Sequence, residues 1–323
     1  MKILITGGAG FIGSNFVRRI FQGPYADFKS VIVLDNLTYA GNMQNLESVK
    51  HNSNFRFVKG DICDSELLNK IIQEIDGIIN FAAESHVDRS INNSHDFVNT
   101  NVMGVRNILD CALNSQRKIK FLQVSTDEVY GSIEDGSWDE GYPVMPNSPY
   151  SASKASADLL VRAYVHTHQV DAVVTRCSNN YGPYQNPEKL IPLFVTNLLD
   201  NKKVPIYGNG SNVRDWLHVD DHCDGIYLAF TKGKSGEIYN IGGGKELSNL
   251  EITNAILDEM QLSDEFIEYV QDRKGHDYRY SINCKKITDE LGYRPKVDFI
   301  SGMKSTISWY RENRSWWEPL KKL

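Results

Sequence analysis

Two hydroxyl and two carboxyl side chains follow one another where a predicted strand ends. Residues 121–131 read FLQVSTDEVYG, so Ser125, Thr126, Asp127 and Glu128 come directly after residues that suit a buried strand. In open α/β sheets, ligands bind beyond the carboxyl ends of the strands. The position therefore favours a role in chemistry, although strand-end and turn residues that face water would give the same pattern.

A tyrosine and a lysine further along the chain form a second pair that could do chemistry. Ser148 and Pro149 predict a helix start, with serine as the cap and proline at the first helical position. Tyr150 and Lys154 then lie on one face of that helix. The same spacing begins at Tyr25, but that residue lies in a Gly-Pro turn region, so position rather than spacing selects Tyr150.

A glycine-rich turn at the start of the chain predicts a dinucleotide site. Residues 2–6 suit a short strand, residues 15–20 have helical periodicity, and the sequence between them fits GxGxxG. Glycines at a strand-to-helix turn let backbone amides approach a pyrophosphate, and the helix N-terminus supplies partial positive charge. The candidate cofactor contacts in this turn are Gly7, Gly10, Phe11, Ile12 and Gly13.

An aspartate at the end of the second predicted strand indicates which dinucleotide is bound. Asp35 follows residues 30–34 and comes 22 residues after Gly13, close to the spacing of an acid that binds the adenosine ribose hydroxyls. A carboxylate there would repel a 2′-phosphate, which favours NAD over NADP. The alternative is a plain turn aspartate.

Two further predicted strands end beside the same site. Residues 55–58 lead to Asp61, which would suit the adenine amino group if the strand order is Rossmann-like. Residues 77–81 lead to Ala82 and Ala83, whose small side chains let a cofactor lie close.

Strands and helices alternate through this half of the chain. Residues 96–112 read as an amphipathic helix and residues 120–124 as the next strand. This rhythm predicts an α/β fold with a Rossmann-type, doubly wound parallel sheet. From residue 179 prolines interrupt short elements, residues 220–230 and 237–241 are expected to rejoin the sheet, and the rest forms a smaller mixed α/β lobe. We therefore expect a cofactor domain of residues 1–178 plus 220–242 and a substrate domain of residues 179–219 plus 243–323.

Composition excludes several classes of function. The chain has 323 residues, 41% hydrophobic and 24% charged, with a net charge of −6 and no basic block that would bind nucleic acid or an anionic membrane. Its apolar runs are too short to span a bilayer and its start does not resemble a signal peptide, so we expect a cytoplasmic protein. The five cysteines are widely spaced without a CxxC pair, and predict neither disulfides nor a metal site.

The pair on the helix would need its pKa shifted to act as a base. A free tyrosine titrates near pH 10, so bringing the pKa of Tyr150 to about 7 requires roughly 4 kcal/mol of preferential stabilisation of the phenolate. The ammonium of Lys154 together with a positively charged nicotinamide ring could supply it in a desolvated site.

Several of these motifs resemble a known family. The TGGAGFIG start, Asp35 with Asn36, and Tyr150 with Lys154 resemble the extended short-chain dehydrogenase/reductase superfamily. The triplet of residues 126–128, NNYGPYQ at 179–185, PEKLIP at 187–192, RDW at 214–216 and GHD at 275–277 are similar to the dTDP-glucose 4,6-dehydratase family. Lys274 and Tyr278 depart from the family pattern, which has proline and arginine there.

The resemblance implies a substrate, a cofactor and a use for each catalytic candidate. With NAD bound, Tyr150 would take the proton of the 4-hydroxyl of dTDP-glucose while Lys154 holds the nicotinamide ribose. Glu128 would remove the C5 proton, Asp127 would protonate the departing C6 hydroxyl, and Thr126 would hydrogen-bond the 4-oxygen. The product would be a 4-keto-6-deoxy sugar for deoxysugar synthesis of the rhamnose type. A homodimer packed through residues 96–112 and 150–166 is also implied.

The resemblance also assigns binding residues. Further cofactor contacts would be Asn36, Ile62, Ser125 and Asn180. Substrate contacts would be Ser85, His86, Thr126, Asn179, Lys189, Leu190, Pro205, Tyr207, Arg214, Asn249, Arg273 and His276. Chemistry supports three of these, because guanidinium groups suit phosphate contacts and Tyr207 could stack on a base. By spacing alone, Arg214 and Arg273 could be surface salt-bridge residues and His86 a solvated loop imidazole.

Other functions stay open at this point. A UDP-glucose 4,6-dehydratase could carry the same triplet, and a sugar-nucleotide epimerase or decarboxylase could share the fold. A non-catalytic NAD-binding sensor is the alternative of another class. The aromatic-rich residues 309–317, next to a predicted helix of residues 302–313, are expected to pack rather than to form a base-stacking platform.

Overall fold

The strands predicted in the first half of the chain lie side by side in one parallel sheet. The structure is a computed structural model that describes residues 1–272 and 275–322. The strands are β1 (Lys2–Thr6), β2 (Ser30–Asp35), β3 (Phe55–Lys59), β4 (Gly77–Asn80), β5 (Lys120–Thr126), β6 (Ala172–Cys177), β7 (Asn179–Tyr181), β8 (Val204–Tyr207), β9 (Val213–His218), β10 (Ile238–Ile241), β11 (Glu246–Ser248) and β12 (Ile267–Val270). The main sheet has the strand order β10-β6-β5-β4-β1-β2-β3, and every pair of neighbouring strands in it is parallel.

Helices cover both faces of this sheet. They are α1 (Phe11–Gln22), α2 (Ser65–Ile72), α3 (Val87–Asn92), α4 (His95–Val98), α5 (Val105–Leu113), α6 (Pro149–His168), α7 (Leu190–Leu199), α8 (Val219–Lys232), α9 (Asn249–Met260), α10 (Lys285–Leu291), α11 (Phe299–Glu312) and α12 (Arg314–Trp317). The centre of the sheet is apolar because both faces are covered, and Ile3, Leu4 and Ile5 of β1 are fully buried. The predicted doubly wound α/β fold is confirmed.

The strand order reverses between β1 and β4, which are hydrogen-bonded neighbours although β2 and β3 lie between them in sequence. Chain connections leave the sheet in opposite directions at such a point and open a crevice at the carboxyl ends of the strands. The glycine-rich turn follows β1, and residues 125–128 span the end of β5 and the turn after it. Both lie at this edge.

Two predicted elements differ in detail from the structure. Residues 96–112 were expected to form one helix, but α4 and α5 are separated by a π-helical turn, Asn99–Gly104. The wider turn brings the buried Asn101 side chain into hydrogen bonds with the Glu84 backbone and with Ser153 of α6. Residues 220–230 rejoin the sheet as part of α8, which packs on its face, whereas β10 joins its edge.

The smaller lobe has its own apolar core. It contains a three-stranded sheet of order β11-β9-β7 and the pair β12–β8, packed by α7, α9, α11 and α12. Its buried cluster includes Trp216, Tyr310 and Trp317. The arrangement is compatible with the expected domain boundaries, which stay a prediction. Within the part of the chain that the structure describes, no helix is both long and apolar enough to cross a membrane.

Candidate active site

A single cavity of about 320 Å³ runs along the carboxyl edge of the main sheet. All the predicted catalytic and cofactor residues line it. These are Gly7, Gly10, Phe11, Ile12, Gly13, Asp35, Asn36, Asp61, Ile62, Ala82, Ala83, Ser125, Thr126, Asp127, Glu128, Tyr150, Lys154 and Asn180. The structure therefore brings together residues from the end of each of the first five strands and from α6.

The glycine-rich turn leaves no room for a side chain at Gly7 or Gly13. Gly7 has a φ of +65°, and a Cβ there would lie 2.5 Å from the backbone nitrogen of Ala82. A Cβ on Gly13 would lie 2.4 Å from the carbonyl oxygen of Gly7. Gly10, the N-cap of α1, provides no side-chain cap, so the first amides of this helix are available to an anion. The turn fits the pyrophosphate of a dinucleotide.

Asp35 is tied to the same turn by its carboxylate. It accepts hydrogen bonds from the amides of Ala9 at 2.9 Å and Leu37 at 2.8 Å. Burial raises the pKa of Asp35, while these two amides oppose the increase. Asn36 donates to Asp61 at 2.9 Å, which joins the second and third strand ends. These acids stand where the sequence predicts the contacts of an adenosine ribose and adenine.

Buried polar atoms in the cavity also fit a bound polar ligand. Among the described residues, the Ser125 hydroxyl and the Oδ2 atom of Asp127 have no hydrogen-bond partner although both are buried. Leaving such groups unpaired is costly, so a ligand that supplies partners is favoured. Together with the glycine turn and Asp35, these atoms fit NAD and a sugar.

The acid pair is positioned by a cap at the end of β5. Thr126 caps a 3₁₀ turn, Asp127–Tyr130, and its Oγ1 accepts a hydrogen bond from the amide of Glu128 at 3.3 Å. The same hydroxyl donates to Asp127 Oδ1 at 3.2 Å. Asp127 is buried whereas Glu128 is half-buried, so the two neighbouring carboxyl groups lie in different environments.

That difference separates the pKa values of the pair. Burial raises the pKa of Asp127 well above its usual range, and repulsion from Glu128 and Asp215 adds to the increase. Attraction to Arg214 opposes it. The environment of Asp127 therefore favours its protonated form, which spacing alone did not show.

Tyr150 and Lys154 both line the cavity, but burial disfavours the phenolate form that Tyr150 would need to act as a base. The Lys154 ammonium donates to the carbonyl oxygen of Val124 at 2.7 Å. Burial raises the pKa of Tyr150 well above its usual range, with repulsion from Glu128 next, and a hydrogen bond with Thr126 opposes the increase. The expected depression of this pKa therefore needs positive charge beyond what the resting protein gives the phenol.

A second polar network supports the helix that carries this pair. Ser153 donates to the carbonyl oxygen of Tyr150 at 2.7 Å and accepts a hydrogen bond from Asn101 at 2.9 Å. Asn101 also holds the Glu84 backbone by bonds of 2.9 and 3.0 Å. Asn101 was not predicted as a site residue, since an asparagine side chain within a predicted helix does not indicate what it will contact.

The predicted substrate residues divide into two groups. Ser85, Thr126, Asn179 and Lys189 line the cavity, and Lys189 donates to the carbonyl oxygen of Ser85 at 2.9 Å. Among the described residues, those predicted to bind substrate but lying outside the cavity lining are His86, Leu190, Pro205, Tyr207, Arg214, Asn249 and His276. Arg273 lies outside the described residues.

Several members of the second group adjoin one another. The rings of Tyr207 and His276 are 6.2 Å apart. The buried guanidinium of Arg214 donates to the carbonyl oxygens of Val213, Asp277 and Tyr278 and lies over the Tyr280 ring. Arg214 thus holds the segment before Tyr280. Its contact with substrate phosphate stays a prediction.

His86 lies against a residue of the loop that precedes α7. His86 lies 3.7 Å from the carboxylate of Glu188, and burial and the nearby Lys189 lower the pKa of the imidazole. Glu188 lines the cavity. The imidazole is therefore a partly buried neighbour of the site and not a solvated loop residue.

Some lining residues were not predicted. Tyr39, Thr100, Tyr184, Gln185, Asn186 and Glu188 lie on loops or at helix turns. The expectation that residues 309–317 pack is confirmed, since Trp316 and Trp317 lie in the core of the smaller lobe and Trp309 packs against it. Trp316 also lines the cavity. The turn after α12 adds Leu320 to the lining.

Comparisons with known proteins agree with this geometry. Residues 4–306 match the family model described as GDP-mannose 4,6-dehydratase. A dTDP-glucose 4,6-dehydratase of Streptomyces niveus is 54% identical over 99% of this chain and 96% of its own. A dTDP-glucose 4,6-dehydratase of Streptomyces venezuelae, crystallised with NAD and dTDP, superposes with a TM-score of 0.97 and 56% identity over 99% of this chain and 100% of that one. A dTDP-glucose 4,6-dehydratase of Bacillus anthracis, in complex with NAD, superposes with a TM-score of 0.92 and is 50% identical over 99% of each chain.

Proposed function

The chain belongs to the GDP-mannose 4,6-dehydratase family, and from that premise we propose that it converts dTDP-glucose to dTDP-4-keto-6-deoxyglucose as an NAD-dependent 4,6-dehydratase. The observation that carries the proposal is the convergence of Thr126, Asp127, Glu128, Tyr150 and Lys154 in one cavity, with a buried acid beside a more exposed one. Relatives named dTDP-glucose 4,6-dehydratase at 54–55% identity over nearly the whole chain support the choice of substrate.

The chain offers a complete set of groups to hold NAD. The amides at the start of α1 would bind the pyrophosphate, Asp35 the adenosine ribose and Lys154 the nicotinamide ribose. When bound, NAD would supply a hydride acceptor at C4 of the sugar and a hydride donor at C6. No net oxidation results, so the same cofactor serves every turnover.

In the first step Tyr150 would remove the proton of the sugar 4-hydroxyl. Thr126 lies within hydrogen-bond reach of the Tyr150 phenol and would share the 4-oxygen with it. Since burial raises the pKa of Tyr150, a positive charge beside the ring is required for this step. The ammonium of Lys154, one helical turn away on α6, is the protein's own contribution, and the positively charged nicotinamide ring of bound NAD would add to it.

In the second step water is eliminated between C5 and C6. The 4-ketone acidifies the C5 proton, and Glu128 as a carboxylate would take it. Asp127 would give its proton to the C6 hydroxyl, which leaves as water while a C5–C6 double bond forms. The raised pKa of Asp127 favours the form that carries this proton. After hydride addition at C6, Glu128 would return its proton to C5, which completes the saturated 4-keto-6-deoxy product.

The assay that tests the proposal uses the purified protein without added cofactor. We expect dTDP-glucose to yield the 4-keto product, detected by its absorbance in alkali, and UDP-glucose to react much more slowly. Equal turnover of UDP-glucose would favour a UDP-glucose 4,6-dehydratase. Epimerised sugar, or no reaction with protein that holds NAD, would contradict the dehydratase assignment.

We extend the proposal to a cytoplasmic homodimer. Exposed apolar side chains lie on neighbouring elements at one face: Ile91 of α3, Val98 of α4, Met103 of the π-helical turn and Leu159 of α6. Burying them against a second copy would join the helices that carry Thr100 and Tyr150 across a two-fold axis. Light scattering should give a dimer mass for the parent and a monomer mass for Leu159→Glu; a monomeric parent would contradict this part of the proposal.

A further inference from the structure

Residues near the C-terminal end of the described chain line the cavity at the end where the glycine-rich turn lies. Trp316 and Leu320 line it beside Asn42 and Asn45, which follow β2. This C-terminal segment, residues 314–320, is held by the second lobe: the buried indole of Trp317 donates to the Tyr310 carbonyl at 2.7 Å. A segment anchored in one lobe thus reaches the cofactor end of the other.

A continuous chain of hydrogen bonds joins the segment to the glycine-rich turn. The indole N–H of Trp316 donates to Asn45 Oδ1 at 2.9 Å, and Asn45 Nδ2 donates to the Ala9 carbonyl oxygen at 2.8 Å. The amide of Asn42 donates to the same oxygen at 3.0 Å. On its other side, Ala9 donates its own amide to Asp35. The amide and the carbonyl of Ala9 are therefore both hydrogen-bonded. The bond from Asn45 to the carbonyl requires the orientation of the Asn45 side chain that the Trp316 indole stabilises.

The same tryptophan supports a second wall of the cavity. The Trp316 ring lies 5.6 Å from the ring of Tyr184, which lines the cavity and has a φ of +68°. A left-handed conformation is unfavourable for a tyrosine and needs surrounding contacts. Arg18 provides another, since its guanidinium lies 4.1 Å from the Tyr184 ring while it donates to the Asn45 carbonyl at 2.7 Å.

We propose that the C-terminal segment is a latch that retains the cofactor, with Trp316 and Asn45 as positioning residues that hold the glycine-rich turn around the pyrophosphate. The inference rests on the proposed NAD-dependent function. A cofactor that is regenerated within each turnover has no need to leave. A contact that slows its release therefore costs nothing in rate and keeps the enzyme loaded.

The test is the rate at which bound NAD leaves the protein. Radiolabelled NAD is bound, excess unlabelled NAD is added, and loss of label is followed for the parent, Trp316→Phe and Trp309→Phe. Trp316→Phe keeps a ring but loses the N–H donor to Asn45, and release should be roughly tenfold faster, as expected for one buried hydrogen bond. Trp309 lies in the same aromatic cluster, 5.0 Å from Trp316, and its variant should release NAD at the parental rate.

Two further measurements separate a latch from a general role in folding. Asn45→Asp keeps the acceptor for Trp316 but loses the donor to Ala9, and should also release NAD faster. Affinity for dTDP, measured on the same preparations, should stay unchanged in both variants. Equal release rates for Trp316→Phe and Trp309→Phe would overturn the inference, as would parallel loss of dTDP binding or failure of both variants to fold. A parent that binds no NAD would instead contradict the proposed function.

Discussion

The two ends of the site are built differently. At the catalytic end, Asp127, Tyr150 and Lys154 sit on the end of a central strand and on the long helix α6, and all are buried. At the predicted nucleotide end, Tyr207 lies on the two-stranded sheet of β8 and β12 and His276 lies on a loop, and neither residue lines the cavity. A strand end and a helix thus position the catalytic side chains, whereas the predicted nucleotide contacts depend on loops that the smaller lobe holds in place.

The largest effects should come from the catalytic end. Asp127→Asn and Glu128→Gln each remove a proton-transfer group, so product formation should fall by about 10²- to 10⁴-fold. Oxidation at C4 does not need either acid, and the absorbance of reduced nicotinamide should accumulate in a single turnover. Glu134→Gln, at an exposed acid in the next loop, is the matched control. Normal product formation by both site variants would refute the division of roles.

The nucleotide end should respond in binding rather than in chemistry. Arg214→Lys keeps the charge but loses the planar fork, so KM for dTDP-glucose should rise by roughly 10- to 100-fold with a much smaller change in kcat. Arg279→Lys, which alters a neighbouring arginine paired with Glu246, is the control. If Arg214 only positions the backbone of Asp277 and Tyr278, the variant should lose stability without a selective change in KM.

The smallest expected effect is on protein stability and concerns His222, a buried histidine that contacts a residue of the cavity lining. The Nδ1 atom of His222 lies 2.9 Å from Asn180 Oδ1, and burial lowers the pKa of the imidazole to about 3. The unfolded chain takes up this proton near pH 6.5 whereas the folded one does not, so stability is complete above that pH and falls as the pH drops toward 3. At pH 5 the loss should be about 2 kcal/mol.

Urea unfolding at pH 7 and pH 5 measures this loss. In His222→Gln the decrease in the free energy of unfolding between the two pH values should shrink by about that amount. His51→Gln, at an exposed histidine, should retain the parental decrease. An unchanged decrease in His222→Gln would show that the imidazole is protonated in the folded protein.

The sequence predicted the catalytic end well because local patterns determine it. Strand propensity, the glycine turn and the Ser148 cap are short-range signals, and the topology of a parallel sheet brings their ends together. The capping box of Ser148 with Ser151 confirms the helix start. The raised pKa of Asp127 could not be predicted, because it depends on burial and on Asp215, which is distant in sequence.

Long-range contacts explain the rest of what the sequence did not show. Trp316 reaches the cavity through Asn45, a partner 271 positions away. Arg214 donates to carbonyl oxygens of residues more than 60 positions away, a use that its charge does not reveal. The π-helical turn likewise follows from the partners of Asn101 and not from the apolar periodicity of the helix.

The most direct test of the account is the fate of the C4 hydrogen of the sugar. The protein is incubated, without added cofactor, with dTDP-glucose that carries deuterium at C4, and the product is examined by mass spectrometry and NMR. We expect dTDP-4-keto-6-deoxyglucose with that deuterium on C6, because the hydride removed from C4 would be returned to C6 within the same cavity. Deuterium lost to solvent, or retained at C4 of an epimerised sugar, would contradict it.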